Sequence, residues 1–187
     1  QRPNVETYGR VLLAIRALMK LVVCSVRGRA LSSGAGLALA SDIVLAHEDA
    51  EFGFTEVRLG FVPALIMPML RRTVGEKRAG DLLLTGRVIA AEEAEHVGLV
   101  SRVMPAASYD ADVDSVLEGL ARLSPTALAL TKWLHYKLDS LSFEDGIAAG
   151  VVTNVEARAI EDFRDAIRRL TATVSGRCED RELSAQA

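Results

Sequence analysis

Lys20-Leu21-Val22-Val23-Cys24-Ser25-Val26-Arg27-Gly28-Arg29-Ala30-Leu31-Ser32-Ser33-Gly34-Ala35-Gly36-Leu37-Ala38-Leu39-Ala40-Ser41-Asp42, continued by Ala50-Glu51-Phe52-Gly53-Phe54-Thr55-Glu56, is the stretch on which the reading of this chain turns. Leu21–Val26 is a run of β-branched and small apolar residues, the pattern of a short buried strand. Gly28–Gly36 is dominated by Gly, Ser and Ala and predicts a tight turn. Leu37–Ala40 then forms a short helix, and Ile43–Ala46 a second strand.

Working outward, Val11, Leu12, Ile15, Leu18 and Met19 recur at helical spacing and predict a helix over Val5–Lys20. On the other side, short strands are expected at Phe52–Phe54 and Val57–Leu59. A helix over Ala64–Arg72 should start at Pro63 and end at Gly75. Glu76–Leu84 is a further amphipathic helix closed by Gly86, and Ala90–Val97 another closed by Gly98, with a strand at Leu99–Val103. Strands alternating with helices argue for an α/β core with parallel crossovers. Beyond Pro105 the period is helical throughout, over Ala111–Leu123, Pro125–Leu138 and Phe143–Leu170. The expected organisation is therefore an α/β core over 1–104, a helical region over 105–172 and a polar, aperiodic tail over 173–187.

Bulk properties narrow the function classes. The 187 residues suffice for one well-buried core. With 22 basic and 25 acidic residues spread along the chain, the net charge is −3 and no basic face for a nucleic acid is announced. The two cysteines, Cys24 and Cys178, lie far apart, which fits a reducing cytoplasm better than a disulfide framework. No apolar run approaches the roughly 20 residues of a membrane span, and the start lacks the order of a signal peptide. The chain begins with Gln1, directly ahead of a helical pattern, so the expectation is a segment cut from a longer protein. His47, His96 and His135 show no metal-ligand spacing and predict no metal site.

Two features could carry chemistry. Small residues in the Gly28–Gly36 turn let the backbone approach a ligand, and the first amides of the following helix have no partner within it, so the turn suits an anion or oxyanion. A turn required only for packing explains the same composition. Ser32 and Ser33 do not sit in a Gly-x-Ser-x-Gly nucleophile turn. The second feature is Glu56, a carboxylate among apolar and glycine residues, suited to general acid/base work. A surface glutamate paired with Arg58 accounts for the same pattern.

The order of these segments resembles the crotonase (enoyl-CoA hydratase/isomerase) superfamily. The run Lys20–Asp42 is similar to that family's Gly-x-Ala-x-Gly-Gly-Gly-x-x-Leu-Ala-x-x-Cys-Asp segment, and Ala50–Glu56 to its Ala-x-Phe-Gly-x-Pro-Glu. Leu82–Val100 is similar to its Leu-Thr-Gly-x-x-hydrophobic-x-Ala-x-x-Ala-x-x-x-Gly-Leu-Val stretch, and the likeness covers about residues 4–170. The resemblance implies stacked ββα units, with the first units missing, and a C-terminal helical layer that builds a homotrimer or dimer of trimers. It implies an acyl-CoA thioester whose carbonyl oxygen accepts from two backbone amides, one of which falls on Ser33. No cofactor is implied beyond the coenzyme A carried by the substrate.

Catalytic roles fall by this resemblance on Glu56 and the Ser33 amide, and substrate-binding positions on Ala30, Ser32, Gly34, Gly36, Thr55, Val57 and Ala64. The chain departs from the two-glutamate hydratases, carrying Gly36 where the first carboxylate stands, and Pro63-Ala64-Leu65-Ile66-Met67-Pro68 replaces a Gly-rich stretch. The favoured implication is a hydratase-type lyase adding water to a 2-enoyl-CoA in fatty-acid or branched-chain breakdown. A Δ3,Δ2-enoyl-CoA isomerase using the single Glu56, and a catalytically impaired acyl-CoA-binding or assembly remnant, are the alternatives.

Overall fold

The structure is a computed structural model and describes residues 2–165, 167 and 168. It contains two units, Gln1–Arg122 and Leu123–Ala187. In the first, helix α1 (Arg2–Ala17) is followed by strands β1 (Val23–Val26) and β2 (Arg29–Leu31), helix α2 (Ser33–Ala40), and strands β3 (Ile43–His47) and β4 (Glu51–Gly53). A 3-10 turn (Thr55–Leu59) leads to α3 (Met67–Val74), α4 (Glu76–Thr85), β5 (Val88–Ala90), α5 (Ala91–His96), β6 (Arg102–Met104) and α6 (Tyr109–Ala121).

The strands form two three-stranded sheets, β1-β3-β6 and β2-β4-β5. Pairing is parallel except between β4 and β5. This is the α/β architecture expected, with one antiparallel edge. Asp42 accepts the Val22 amide through Oδ2 at 2.7 Å, which seats the start of β3 beside β1. Gly28, at φ 68, makes the sharp link from β1 to β2 that a side chain would strain.

Apolar packing explains the order of the elements. Leu12 and Ile15 of α1, Ala35 and Leu39 of α2, Phe52 of β4, Phe54, and Leu70 and Leu82 of the later helices belong to one core. Phe52 and Phe54 are enclosed, and burying each contributes about 1.5–3 kcal/mol. Helix α2 is short and made of small residues, so it can run through this core with Ala35, Gly36, Ala38, Leu39 and Ala40 all buried.

Several expectations are corrected. The glycine-rich segment is not all turn: Arg29–Leu31 is a strand paired in parallel with β4, and α2 starts at Ser33 rather than Leu37. Val57–Leu59 is no strand, because Gly60 in the left-handed region closes a 3-10 turn and the Phe61 amide donates back to the Glu56 carbonyl at 3.0 Å. Helix α3 begins at Met67 with Pro68 in its first turn, not at Pro63. The core also extends beyond residue 104. Tyr109 and Val113 of α6 pack with Leu45 and Met104, so the first unit ends at Arg122.

The second unit holds α7 (Pro125–Lys137) and α8 (Phe143–Arg158). Each starts at a serine cap: Ser124 accepts from the Ala127 amide at 3.2 Å and Ser142 from the Asp145 amide at 3.1 Å. The helix expected over Phe143–Leu170 is interrupted at 159–160 and resumes at 161. Its expected end, and the tail over 173–187 with Cys178, lie outside the described residues.

Candidate active site

The parallel pairing of β2 and β4 sets the site. Leu31 stands opposite Gly53, so the two chains leave the sheet side by side at their carboxyl ends. Two residues on, one chain becomes the N-terminus of α2 at Ser33; three residues on, the other reaches Glu56. Crevices at the carboxyl ends of strands are where α/β sheets expose backbone amides and side chains to a ligand. The Ser32 amide donates to the Gly53 carbonyl at 2.8 Å, and Ser32 Oγ shares a hydrogen bond with Thr55 Oγ1 at 3.2 Å. The helix start and the glutamate turn are thereby tied together.

Ser32 carries the local strain. Its φ of 49 and ψ of −116 lie where side chains are disfavoured, at a cost of about 1–3 kcal/mol. The following residue, Ser33, opens α2, and its N–H has no acceptor within the helix.

Glu56 is 8% exposed, and its Oε2 has no hydrogen-bond partner among the described residues. The surface-glutamate reading fails on that burial, while Arg58 is exposed. A buried carboxylate oxygen without a donor costs stability, so its presence points to a ligand or solvent group that completes it.

Glu56 and Ser33 face one cavity of about 270 Å³, lined also by Asn4, Val5 and Tyr8 of α1 and by Phe61–Ile66. The wall is mainly apolar, with a few convergent polar groups, the composition of a small-molecule site. Of the sequence-derived candidates, Glu56, Ser33 and Ala64 line it. Ser32 and Thr55 are not part of this lining and hydrogen-bond to each other, and Ala30 is buried in β2. Gly34 is in open space, whereas Val57 is turned towards Gly86, where its Cγ2 would lie 2.9 Å from an added methyl. Gly36 is buried behind Tyr8.

Sequence reasoning missed Tyr8. Its hydroxyl donates to the Ser33 carbonyl at 2.7 Å. Burial, and to a lesser degree the Glu56 charge, push the phenol above its ordinary value, against the opposing effect of the Ser33 side chain. It is therefore a neutral hydroxyl at physiological pH. A signal existed: the stripe Ile15, Leu12 extends one turn back to residue 8, so the helix face that meets the core ends in a phenol.

A family model described as Enoyl-CoA hydratase/isomerase matches residues 3–171. The chain belongs to the enoyl-CoA hydratase/isomerase family. A Thermus thermophilus protein described provisionally as an enoyl-CoA hydratase is 44% identical over 149 residues, covering 80% of this chain and 59% of that protein. The 2,3-dehydroadipyl-CoA hydratase of Escherichia coli is 34% identical over 147 residues, covering 76% of this chain and 56% of the enzyme. Among solved structures, an enoyl-CoA hydratase of Mycobacterium smegmatis superposes with a TM-score of 0.88 at 25% identity, over 92% of this chain and 69% of that one. An enoyl-CoA hydratase/isomerase of Cupriavidus metallidurans gives 0.86 at 31% identity, over 92% and 65%. The chain thus has the crotonase fold and spans somewhat more than half the length of the curated relatives it matches.

Among the described residues no cluster of His, Cys, Asp and Glu has the makings of a metal site, and no helix is long and apolar enough to cross a membrane.

Proposed function

We propose that the protein containing this chain is a hydratase-type lyase that adds water across the double bond of a 2-enoyl-CoA. The observation that carries this reading is the buried Glu56 carboxylate, with Oε2 unpartnered, in the same apolar cavity as the first residue of α2. An acyl thioester seated there would direct its carbonyl oxygen at the Ser33 N–H, where enolate charge develops. Water oxygen bonds to the β-carbon, and the alkene π electrons move to the α-carbon and thioester oxygen. Glu56 takes the water proton and delivers it to the α-carbon, ending ionised as it began.

The apolar cavity wall suits an acyl chain, with coenzyme A arriving as part of the substrate and no further cofactor in the proposal. Likeness to relatives named as hydratases supports the reaction type. Glycine at position 36, which leaves a single carboxylate, supports the second reading, isomerisation of a 3-enoyl-CoA by Glu56 alone. The non-catalytic remnant is the third outcome. Incubation with crotonyl-CoA, 3-methylglutaconyl-CoA and a 3-enoyl-CoA, followed by mass, separates them. Gain of one water supports hydration, product of unchanged mass with a shifted double bond supports isomerisation, and no product supports the remnant.

Self-association through the late helices is part of the same proposal. Phe143, Ile147, Val151 and Val155 recur every four residues along α8 and are exposed in the isolated chain, a stripe that a second copy would cover. Sedimentation of the protein at micromolar concentration tests it, with a trimer or hexamer expected and a monomer refuting it. A cytoplasmic location is the remaining expectation of this reading.

A further inference from the structure

Gly36 and Tyr8 occupy one another's space. Glycine 36 is buried in the middle of α2, and a methyl group added there would collide with Tyr8 Oη. The phenol therefore sits directly against the Gly36 backbone, on ground that any larger residue at 36 would take. From there it donates its only hydrogen to the Ser33 carbonyl at 2.7 Å, so towards any further partner its oxygen can act only as an acceptor. The same cavity is lined by Glu56, whose Oε2 is buried without a donor.

Two acceptor groups on the wall of one cavity suit a molecule with two hydrogens to give. We infer that Tyr8 Oη and Glu56 Oε2 together hold the water that is added to the substrate, Tyr8 as a fixed acceptor and Glu56 as the base. A water donating one hydrogen to each has its own lone pairs directed away from both, into the cavity where the β-carbon would lie. The phenol takes no proton in the reaction: the hydrogen facing Glu56 is transferred to the carboxylate and on to the α-carbon, and the other stays on the new alcohol. Tyr8 is on this account a positioning residue for the nucleophile, and its presence biases the single-carboxylate site towards hydration over isomerisation. The inference rests on the Glu56 reading above.

The test separates steps that need the water from steps that need only Glu56 and the Ser33 amide. Hydration of crotonyl-CoA needs all of them. Exchange of the α-hydrogens of butyryl-CoA in deuterium oxide, on a saturated chain that cannot be hydrated, needs the carboxylate and the oxyanion site alone. In the intact protein, Tyr8→Phe keeps the ring and removes the acceptor. It is expected to lower kcat for hydration by about 10²-fold while α-exchange stays within about 3-fold of wild type, and Glu56→Gln is expected to lower both. Unchanged hydration in Tyr8→Phe overturns the inference. So does an equal loss of hydration and exchange, which would make Tyr8 a prop for the Ser33 turn. Wild-type protein that exchanges but does not hydrate overturns the water-holding role and spares Glu56. Wild-type protein that does neither overturns the underlying reading and this inference with it. Thermal unfolding of the variant, matching wild type within a few degrees, confirms that the comparison is made on folded protein.

Discussion

Gly36→Ala tests directly how α1 and α2 assemble the site. In the interior of α2, exchanging glycine for alanine favours the helix by about 1 kcal/mol. The added methyl would collide with Tyr8 Oη and lie 3.0 Å from Ile66 Cγ1 and 3.2 Å from Ile66 Cδ1. Ile66 can yield a few tenths of an ångström at the end of its side chain. The hydroxyl cannot move without leaving the Ser33 carbonyl. Overpacking of a dense core costs about 1–3 kcal/mol, and loss of the Tyr8 hydrogen bond about 0.5–1.5 kcal/mol. Set against the helix gain, Gly36→Ala should lower stability by about 0.5–3.5 kcal/mol. In a Tyr8→Phe background the hydroxyl and its hydrogen bond are already gone, so the alanine becomes neutral or mildly stabilising. The two substitutions should therefore couple by about 1–3 kcal/mol. Urea unfolding of wild type, both single variants and the double variant, followed by circular dichroism, closes the cycle. Gly80→Ala, in α4 with open space around the added methyl, is the control and should gain about 1 kcal/mol. A Gly36→Ala protein as stable as wild type, or single effects that add within about 0.5 kcal/mol, would refute the seating of Tyr8 against Gly36.

Further tests address the neighbouring elements. Glu56→Gln should reduce enoyl-CoA turnover by about 10²–10⁴-fold while substrate binding by calorimetry is retained; wild-type turnover would remove Glu56 from the chemistry. At Ser32, Ser32→Gly and Ser32→Ala both lose the bond to Thr55, but only glycine relieves the backbone, so the glycine variant should be the more stable by about 1 kcal/mol or more. An alanine variant of equal stability would show that the turn is not strained. Arg87 donates to both Glu93 oxygens, at 2.6 and 3.0 Å, and this holds the Glu93 carboxyl below its ordinary value. A depressed carboxyl contributes stability that is complete above its unfolded pKa and is lost as pH falls through the folded one, with a size reduced by solvent at this half-exposed pair. Glu93→Gln should flatten the fall in unfolding midpoint as pH drops below the carboxyl's ordinary value of 4.5, and an unchanged slope would contradict the linkage.

Much of this protein is legible along the chain because its decisive features are local. The strand before Gly28, the strand at Ile43, the helices closed by Gly75 and Gly86, and the serine starts of α7 and α8 each follow from residues within one or two turns of one another. Glu56 could be named from its neighbours, and the family from the order and spacing of Gly28–Gly36, Ala50–Glu56 and Leu82–Val100, with Gly36 marking a departure from the two-carboxylate pattern.

What needed the tertiary structure is whatever depends on elements far apart in sequence. Arg29–Leu31 is a strand only because β4 lies beside it, for three residues of Arg, Ala and Leu carry no strand signal of their own. Helix α6 belongs to the first unit because Tyr109 reaches Ser25, Val26 and Leu45 across the sheet. Tyr8 meets Ser33 twenty-five positions away, and only three-dimensional packing places its oxygen against a glycine whose missing side chain leaves the room. Residue type and spacing are one-dimensional and specify hydrogen bonds within a helix turn or a tight loop. Which group shares the cavity with Glu56 is settled by the packing of α1 on α2, and that follows from the shape of the buried surfaces rather than from any pattern along the chain.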